Sequence, residues 1–250
     1  LLPDAGKKSV MLMDEMGKIH KIVSKEYPLY FPHPGWSEQN PEDWFEQSLA
    51  GMKELISDCD MEQIKGISFG GQMHGLVVLD EKDQVIRPAI LWNDGRTGKE
   101  TEYLNQEIGK EALCQYTGNI AFAGFTAPKI LWMREQEPQN FARIQKIMLP
   151  KDYLAFRLSG SFCTDYSDAS GTLLLDVKHK RWSKKMMEIC GVKEEQLPRL
   201  YESWEPVGTI KKVIAEELGI PYDVKIIAGA GDNAAAAVGT GIVGEGGCNL

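Results

Sequence analysis

The stretch 224–240 limits the fold more tightly than any other. Residues 224–228 form a short run of strand type, Gly229-Ala230-Gly231-Asp232-Asn233 reads as a turn, and a helix starts at Ala234 in four alanines. A second strand, 64–69, ends in Gly70-Gly71-Gln72-Met73-His74-Gly75. Runs 76–79 and 85–92 also read as strands. Helical segments follow at 97–108 and 128–137, then a short strand at 147–149 and a helix at 152–158. Residues 161–176 are small and polar, becoming β-like at 172–175. Residues 178–195 are lysine-rich and read as a helical, solvated face. Such alternation of strands and helices predicts an α/β fold.

The N-terminal part adds antiparallel pairing. Runs 9–13 and 18–24 flank Asp14-Glu15-Met16-Gly17, which predicts a hairpin. Pro28, Pro32 and Pro34 make 27–36 an extended loop. Asn40-Pro41-Glu42-Asp43 is a strong helix start, with Asn at the cap, Pro first and acids in the first turn. Trp44, Phe45, Leu49, Met52, Leu55 and Ile56 then recur at helical spacing and give that helix a buried face. The expectation is therefore a mixed sheet flanked by helices, with no internal repeat.

Charge and cysteine usage narrow the function classes. The 28 Lys+Arg against 36 Asp+Glu leave a net charge of −8, with no basic run, so neither nucleic acid nor an anionic membrane is an expected partner. No apolar run is long enough to span a bilayer. Cys59, Cys114, Cys163, Cys190 and Cys248 are scattered without a C-x-x-C pair, which points to reduced thiols. With no signal-peptide pattern and no N-x-S/T site, the expected compartment is the cytoplasm. The four His are isolated, so no intrinsic metal site is expected. Both ends read as cut, the first within a strand and the last in a glycine-rich turn, which predicts a fragment of a longer protein.

Four motifs offer chemistry, each beside a plainer reading. Gly66-Ile67-Ser68-Phe69-Gly70 matches the nucleophile elbow G-x-S-x-G, but that elbow needs a helix straight after it, and here glycines and another β-type run follow. Gly229-Ala230-Gly231-Asp232-Asn233-Ala234 matches the dinucleotide fingerprint, yet Asp232 would set a carboxylate against the pyrophosphate. The same junction suits Asp232 as a general base or metal-facing acid, with small neighbours admitting a ligand and the helix dipole favouring the ionised form. A simple cap role accounts for it equally well. Met73-His74-Gly75 can offer a sugar hydroxyl an imidazole donor and an apolar wall, or His74 can be a structural residue bonded to backbone. Trp92-Asn93-Asp94-Gly95-Arg96 suits carbohydrate, or forms a turn with a cap and a surface salt bridge.

Taken together, these segments resemble the FGGY carbohydrate kinase family. The carrying stretches are Ile67-Ser68-Phe69-Gly70-Gly71-Gln72-Met73-His74-Gly75, Arg87-Pro88-Ala89-Ile90-Leu91-Trp92-Asn93-Asp94-Gly95-Arg96, and Gly124-Phe125-Thr126-Ala127-Pro128-Lys129-Ile130-Leu131-Trp132-Met133. Thr164-Asp165-Tyr166-Ser167-Asp168-Ala169-Ser170-Gly171-Thr172 and Gly229-Ala230-Gly231-Asp232-Asn233-Ala234-Ala235 complete the set, in the family's order. The Gln-Met-His-Gly and Trp-Asn-Asp-Gly-Arg pair points to the xylulose-type branch.

The resemblance implies an actin-like, ribonuclease H-like α/β fold. Residues 1–250 would form the N-terminal, sugar-binding domain, and an ATP-binding domain would follow outside this chain. It implies ATP-dependent phosphorylation of D-xylulose to D-xylulose 5-phosphate, with Mg2+; the fragment alone would have little activity. Met73, His74, Gly75, Trp92, Asp232 and Asn233 would contact the sugar, and Asp232 would be the catalytic base. Asp4 and Gly6 would serve the nucleotide phosphate and Mg2+, although Leu2-Pro3-Asp4-Ala5-Gly6-Lys7 lacks the Thr of the family's Asp-x-Gly-Thr turn. Ribulose, glycerol, or a non-catalytic sugar-binding role stay open as alternatives, as does a homodimer.

Overall fold

The computed structural model describes residues 2–4, 6–242 and 244. Of the glycine-rich turn expected at 244–250, residues 245–250, Cys248 among them, lie outside the described residues. The expected hairpin forms: Lys7–Met13 pairs antiparallel with Ile19–Glu26, and Leu2–Asp4 adds a third antiparallel strand with Asp4 opposite Lys7. The turn between them closes at Gly6, whose φ of 83° suits a residue without Cβ.

Asn40 caps the helix Pro41–Ile56, its side chain accepting the amide of Glu42. Trp44, Phe45, Met52, Leu55 and Ile56 are buried against the hairpin sheet and Leu49 packs partly against the same core. Contact there is tight: a Cβ on Gly51 would stand 2.8 Å from Val10 Cγ2.

Further along, a mixed sheet carries the functional edge. Lys225–Ile227 pairs antiparallel with Pro206–Thr209 on one side and parallel with Gly66–Ile67 on the other. After a break in both chains, Ala230–Gly231 pairs in parallel with Gly70–Gly71. Ser68 and Phe69 thus lie between two short strands, and no helix follows them, so the hydrolase elbow is excluded. Leu2–Asp4 packs beside Gly70–Gly71, which brings the first strand to the same edge. A second core gathers around Ile130, Leu131 and Met133 of the helix Thr126–Gln136, beneath the antiparallel pair Val77–Leu79 and Lys146–Met148.

Three sequence expectations need correction. The helix expected at 97–108 runs on through a wider π-helical turn, Leu104–Gly109, into Lys110–Thr117. The region 178–195 is not one solvated helix: Lys180 takes a left-handed φ of 50°, Arg181–Trp182 is a strand, and only Lys184–Cys190 is α-helical. Its Trp182, Met186 and Cys190 are buried, so the lysines mark only its outer side. Within 161–176 the short helix Tyr166–Ser170 appears, capped by the Asp165 side chain on the Ser167 amide.

Candidate active site

Two loops leave the paired glycine strands side by side. One is 72–75; the other is the start of the helix Asp232–Gly239. Glycine is needed at the crossing, because Gly229 has φ 77° and any Cβ on it would overlap the Phe69 carbonyl oxygen. Met73 lies across the gap: a Cβ on Gly231 would be 3.0 Å from Met73 Cγ, and one on Gly171 would be 2.9 Å from Met73 Cε.

Asp232 is the first helical residue, not the cap, which is Gly231. Its carboxylate accepts the amide of Asn233 at 2.8 Å. The group is half-buried, and burial raises its pKa above the usual aspartate value despite that bond. A half-buried carboxylate with raised proton affinity is well matched to a general base. Asn233 is exposed beside it.

His74 sits at φ 68°, unusual for a residue with a side chain. Its Nδ1 is 2.7 Å from the Gly171 carbonyl oxygen, and its ring stacks on Phe125 at 4.7 Å. Burial pushes the imidazole down to about 4, so the ring is neutral near pH 7. A neutral ring that donates from Nδ1 keeps Nε2 as an acceptor. This arrangement does not fit the expected hydrogen-bond donor: Nε2 is left as an acceptor. The plain reading of His74, a residue bonded to backbone, holds, and that bond sets the tautomer.

Lys129, which sequence reasoning left out of the site, explains how His74 is held. It is completely buried, and its Nζ donates to the carbonyls of His74 at 2.8 Å and Gly124 at 2.7 Å. Thr126 Oγ1 also donates to the His74 carbonyl, at 3.1 Å. Burial lowers the Lys129 amine to about 7. The available signal was the Thr126-Ala127-Pro128-Lys129 run, where a lysine stands among apolar residues at the start of a helix.

Gly75 supports this loop from below. It is buried, its amide donates to the Met73 carbonyl, and a Cβ would meet Pro150 Cγ at 2.6 Å. Gly75 thus has a packing role in which a side chain would not fit. Trp92 presents an exposed ring, 51% accessible, while its carbonyl lies against Gly124. Asp94 and Arg96 form no surface bridge. Arg96 is buried, bonded to Asp94 and Glu38 at 2.7 Å each, and stacked 3.7 Å over Trp36. They lock the turn that carries Trp92.

Asp4 ends the strand beside Gly70–Gly71; its side chain lies outside the described residues. The turn at Gly6 offers backbone without a side chain, which suits a phosphate group. Among the described residues, no group of three or more His, Cys, Asp or Glu is arranged to hold a metal ion. No helix among them is long and apolar enough to cross a membrane.

The profile of the FGGY family of carbohydrate kinases, N-terminal domain, matches residues 4–239. The chain belongs to this family. As an FGGY domain it is 46% identical over 247 residues to a xylulose kinase of Lactococcus lactis, covering 97% of this chain and 49% of that protein. The xylulose kinase of Escherichia coli is 42% identical over 234 residues, covering 94% and 48%. A crystal structure of a xylulose kinase from Brucella ovis superposes with a TM-score of 0.90 at 40% identity, covering 94% of this chain and 48% of that one. The FGGY chain thus spans about half the length of the curated relatives it matches. Its fold is the actin-like, ribonuclease H-like fold of the sugar kinases.

Proposed function

We propose that this chain is the sugar-holding domain of an ATP-dependent kinase that converts D-xylulose to D-xylulose 5-phosphate in the cytoplasm. The observation that carries the reading is the convergence of Asp232 with the Met73–His74 loop on one pair of glycine strands. Met73 supplies an apolar floor, and His74 Nε2 accepts a hydroxyl of the sugar. Trp92 offers an exposed aromatic face of the kind that stacks on a sugar.

Asp232 accepts the proton of the sugar C5 hydroxyl as that oxygen attacks phosphorus. Its raised proton affinity favours the transfer, while its place at a helix start keeps the ionised form available. ATP would give up its γ-phosphoryl group and leave as ADP, and Mg2+ would supply charge neutralisation; the turn of Asp4 and Gly6 is the contact proposed for them. Most of the catalysis in such a transfer is positioning.

The deciding experiment is Asp232→Asn in the full-length protein, with turnover and sugar binding measured separately. Loss of kcat by at least about a thousandfold is expected, with sugar affinity kept within a few-fold. Near-normal turnover would sink the assignment of Asp232. Ribulose and glycerol as competing substrates test the sugar, and failure of all three with ATP would favour the non-catalytic reading.

A further inference from the structure

Behind the two loops lies a buried ionic cluster that the proposed chemistry does not use. Lys151 Nζ is 2.6 Å from Asp152 Oδ1, 2.9 Å from Asp165 Oδ1 and 3.5 Å from Asp168 Oδ2. All four side chains are at most 1% exposed. One ammonium cannot balance three ionised carboxylates in such a place. Burial pushes Asp168 well above the usual value; Lys151 offsets part of this, and the neighbouring Asp152, Asp165 and Asp232 carboxylates add to the rise. Burial would raise Asp165 too, but Lys151 and the hydroxyls of Ser167 and Ser203 outweigh it and hold it low. Of the three carboxylates, Asp165 is the one held below the usual value.

Its second oxygen points toward the active site. Asp165 Oδ2 accepts Ser167 Oγ at 2.5 Å, Ser203 Oγ at 2.7 Å and the Ser167 amide at 2.9 Å. The single hydroxyl proton of Ser167 is thereby committed, which leaves its lone pairs free to accept. They take the amide of Gly231 at 3.1 Å. Gly231 has no side chain of its own to hold it, and it directly precedes Asp232.

We propose that Ser167 is a positioning residue for Asp232, its hydroxyl passing the fixed geometry of the Lys151–Asp165 ion pair to the amide of Gly231. The inference rests on Asp232 being the base. Near-ångström displacement of a reacting group costs rate far more than it costs binding.

The test is steady-state kinetics and thermal unfolding of the full-length protein with D-xylulose and ATP. Ser167→Ala is expected to lower kcat by roughly 10- to 100-fold while the sugar KM changes less than about twofold. The acid limb of its kcat profile moves to lower pH, because a loosened Asp232 gains water. Ser167→Thr keeps a hydroxyl and restores most of the rate. Ser203→Ala removes a bond to the same Asp165 oxygen, while its hydroxyl makes no bond to Gly231 and its carbonyl, which accepts the Gly229 amide, is kept; it lowers Tm and leaves kcat within about twofold. If Ser167→Ala does not fold, Ser167→Cys, with its weaker donor, is measured in its place.

Unchanged kcat in Ser167→Ala overturns the proposal. So does a fall in kcat that Ser203→Ala matches in parallel with Tm, since the cluster would then be only structural. Asp232→Asn is run alongside: if it keeps its turnover, the base assignment itself fails. If it is inactive and Ser167→Ala is unimpaired, only the positioning role falls.

Discussion

Lys129 and Lys151 are both fully buried, yet their surroundings drive them apart. Lys129 meets two neutral carbonyls, and burial lowers its amine to about 7. Burial works on Lys151 in the same direction, but Asp152, Asp168 and Asp165 overcome it and hold the ammonium above the ordinary lysine value. A carbonyl pair fixes a loop without fixing a charge. A carboxylate cluster fixes both, and its loss strands charges in the interior.

That contrast is broken most directly at Lys151. Lys151→Met leaves Asp165 ionised and unpaired, and a loss of roughly 3–5 kcal/mol in urea unfolding is expected. An unchanged midpoint would mean the cluster is neutral as a whole. Lys129→Met should cost less, about 2–3 kcal/mol, because two carbonyls lose a donor and no charge is exposed. Its sugar KM should rise several-fold through the displaced His74, measured beside Lys151→Met at equal folded fraction.

A third buried lysine sharpens the comparison with the opposite sign. Lys8 is 2% exposed beside Trp44, Gly70, Gly71 and Lys151, and it makes no ion pair among the described residues. Burial lowers it to about 7. A folded pKa below the unfolded value near 10.5 means that the unfolded chain binds more protons between those limits, so stability rises with pH there. Lys8→Met is expected to stabilise by roughly 1–3 kcal/mol at pH 7, the gain shrinking as pH climbs toward 10. Thermal unfolding of both proteins across that range checks it; a gain independent of pH would point to packing instead.

The parts legible in the sequence were those with local causes. Asn40-Pro41 starts its helix within one turn, and Asp14-Glu15-Met16-Gly17 turns its hairpin, so each could be read in place. The junction at Asp232 was legible because small residues and a helix start lie together in sequence. Lys129 under His74 is 55 residues away from it, and Ser167 is 64 from Gly231, so nothing in either neighbourhood announces the bond. The direction of the His74 proton was equally hidden, since the Gly171 carbonyl sets it from 97 residues away. The 178–195 region misled because its lysines face outward while Met186 and Cys190, between them, face the core.

The ladder between Gly70–Gly71 and Ala230–Gly231 has an evolutionary consequence. The two loops share one floor, and neither side can be raised alone: a methyl group at Gly231 would press on Met73, and one at Gly71 would stand 2.5 Å from Lys151 Cβ. On the proposed reading of the site, a descendant of this chain that adopts a new substrate does so at the rim, through side chains such as Trp92 that stand half free of the protein. The floor is inherited whole, and novelty is confined to what overhangs it.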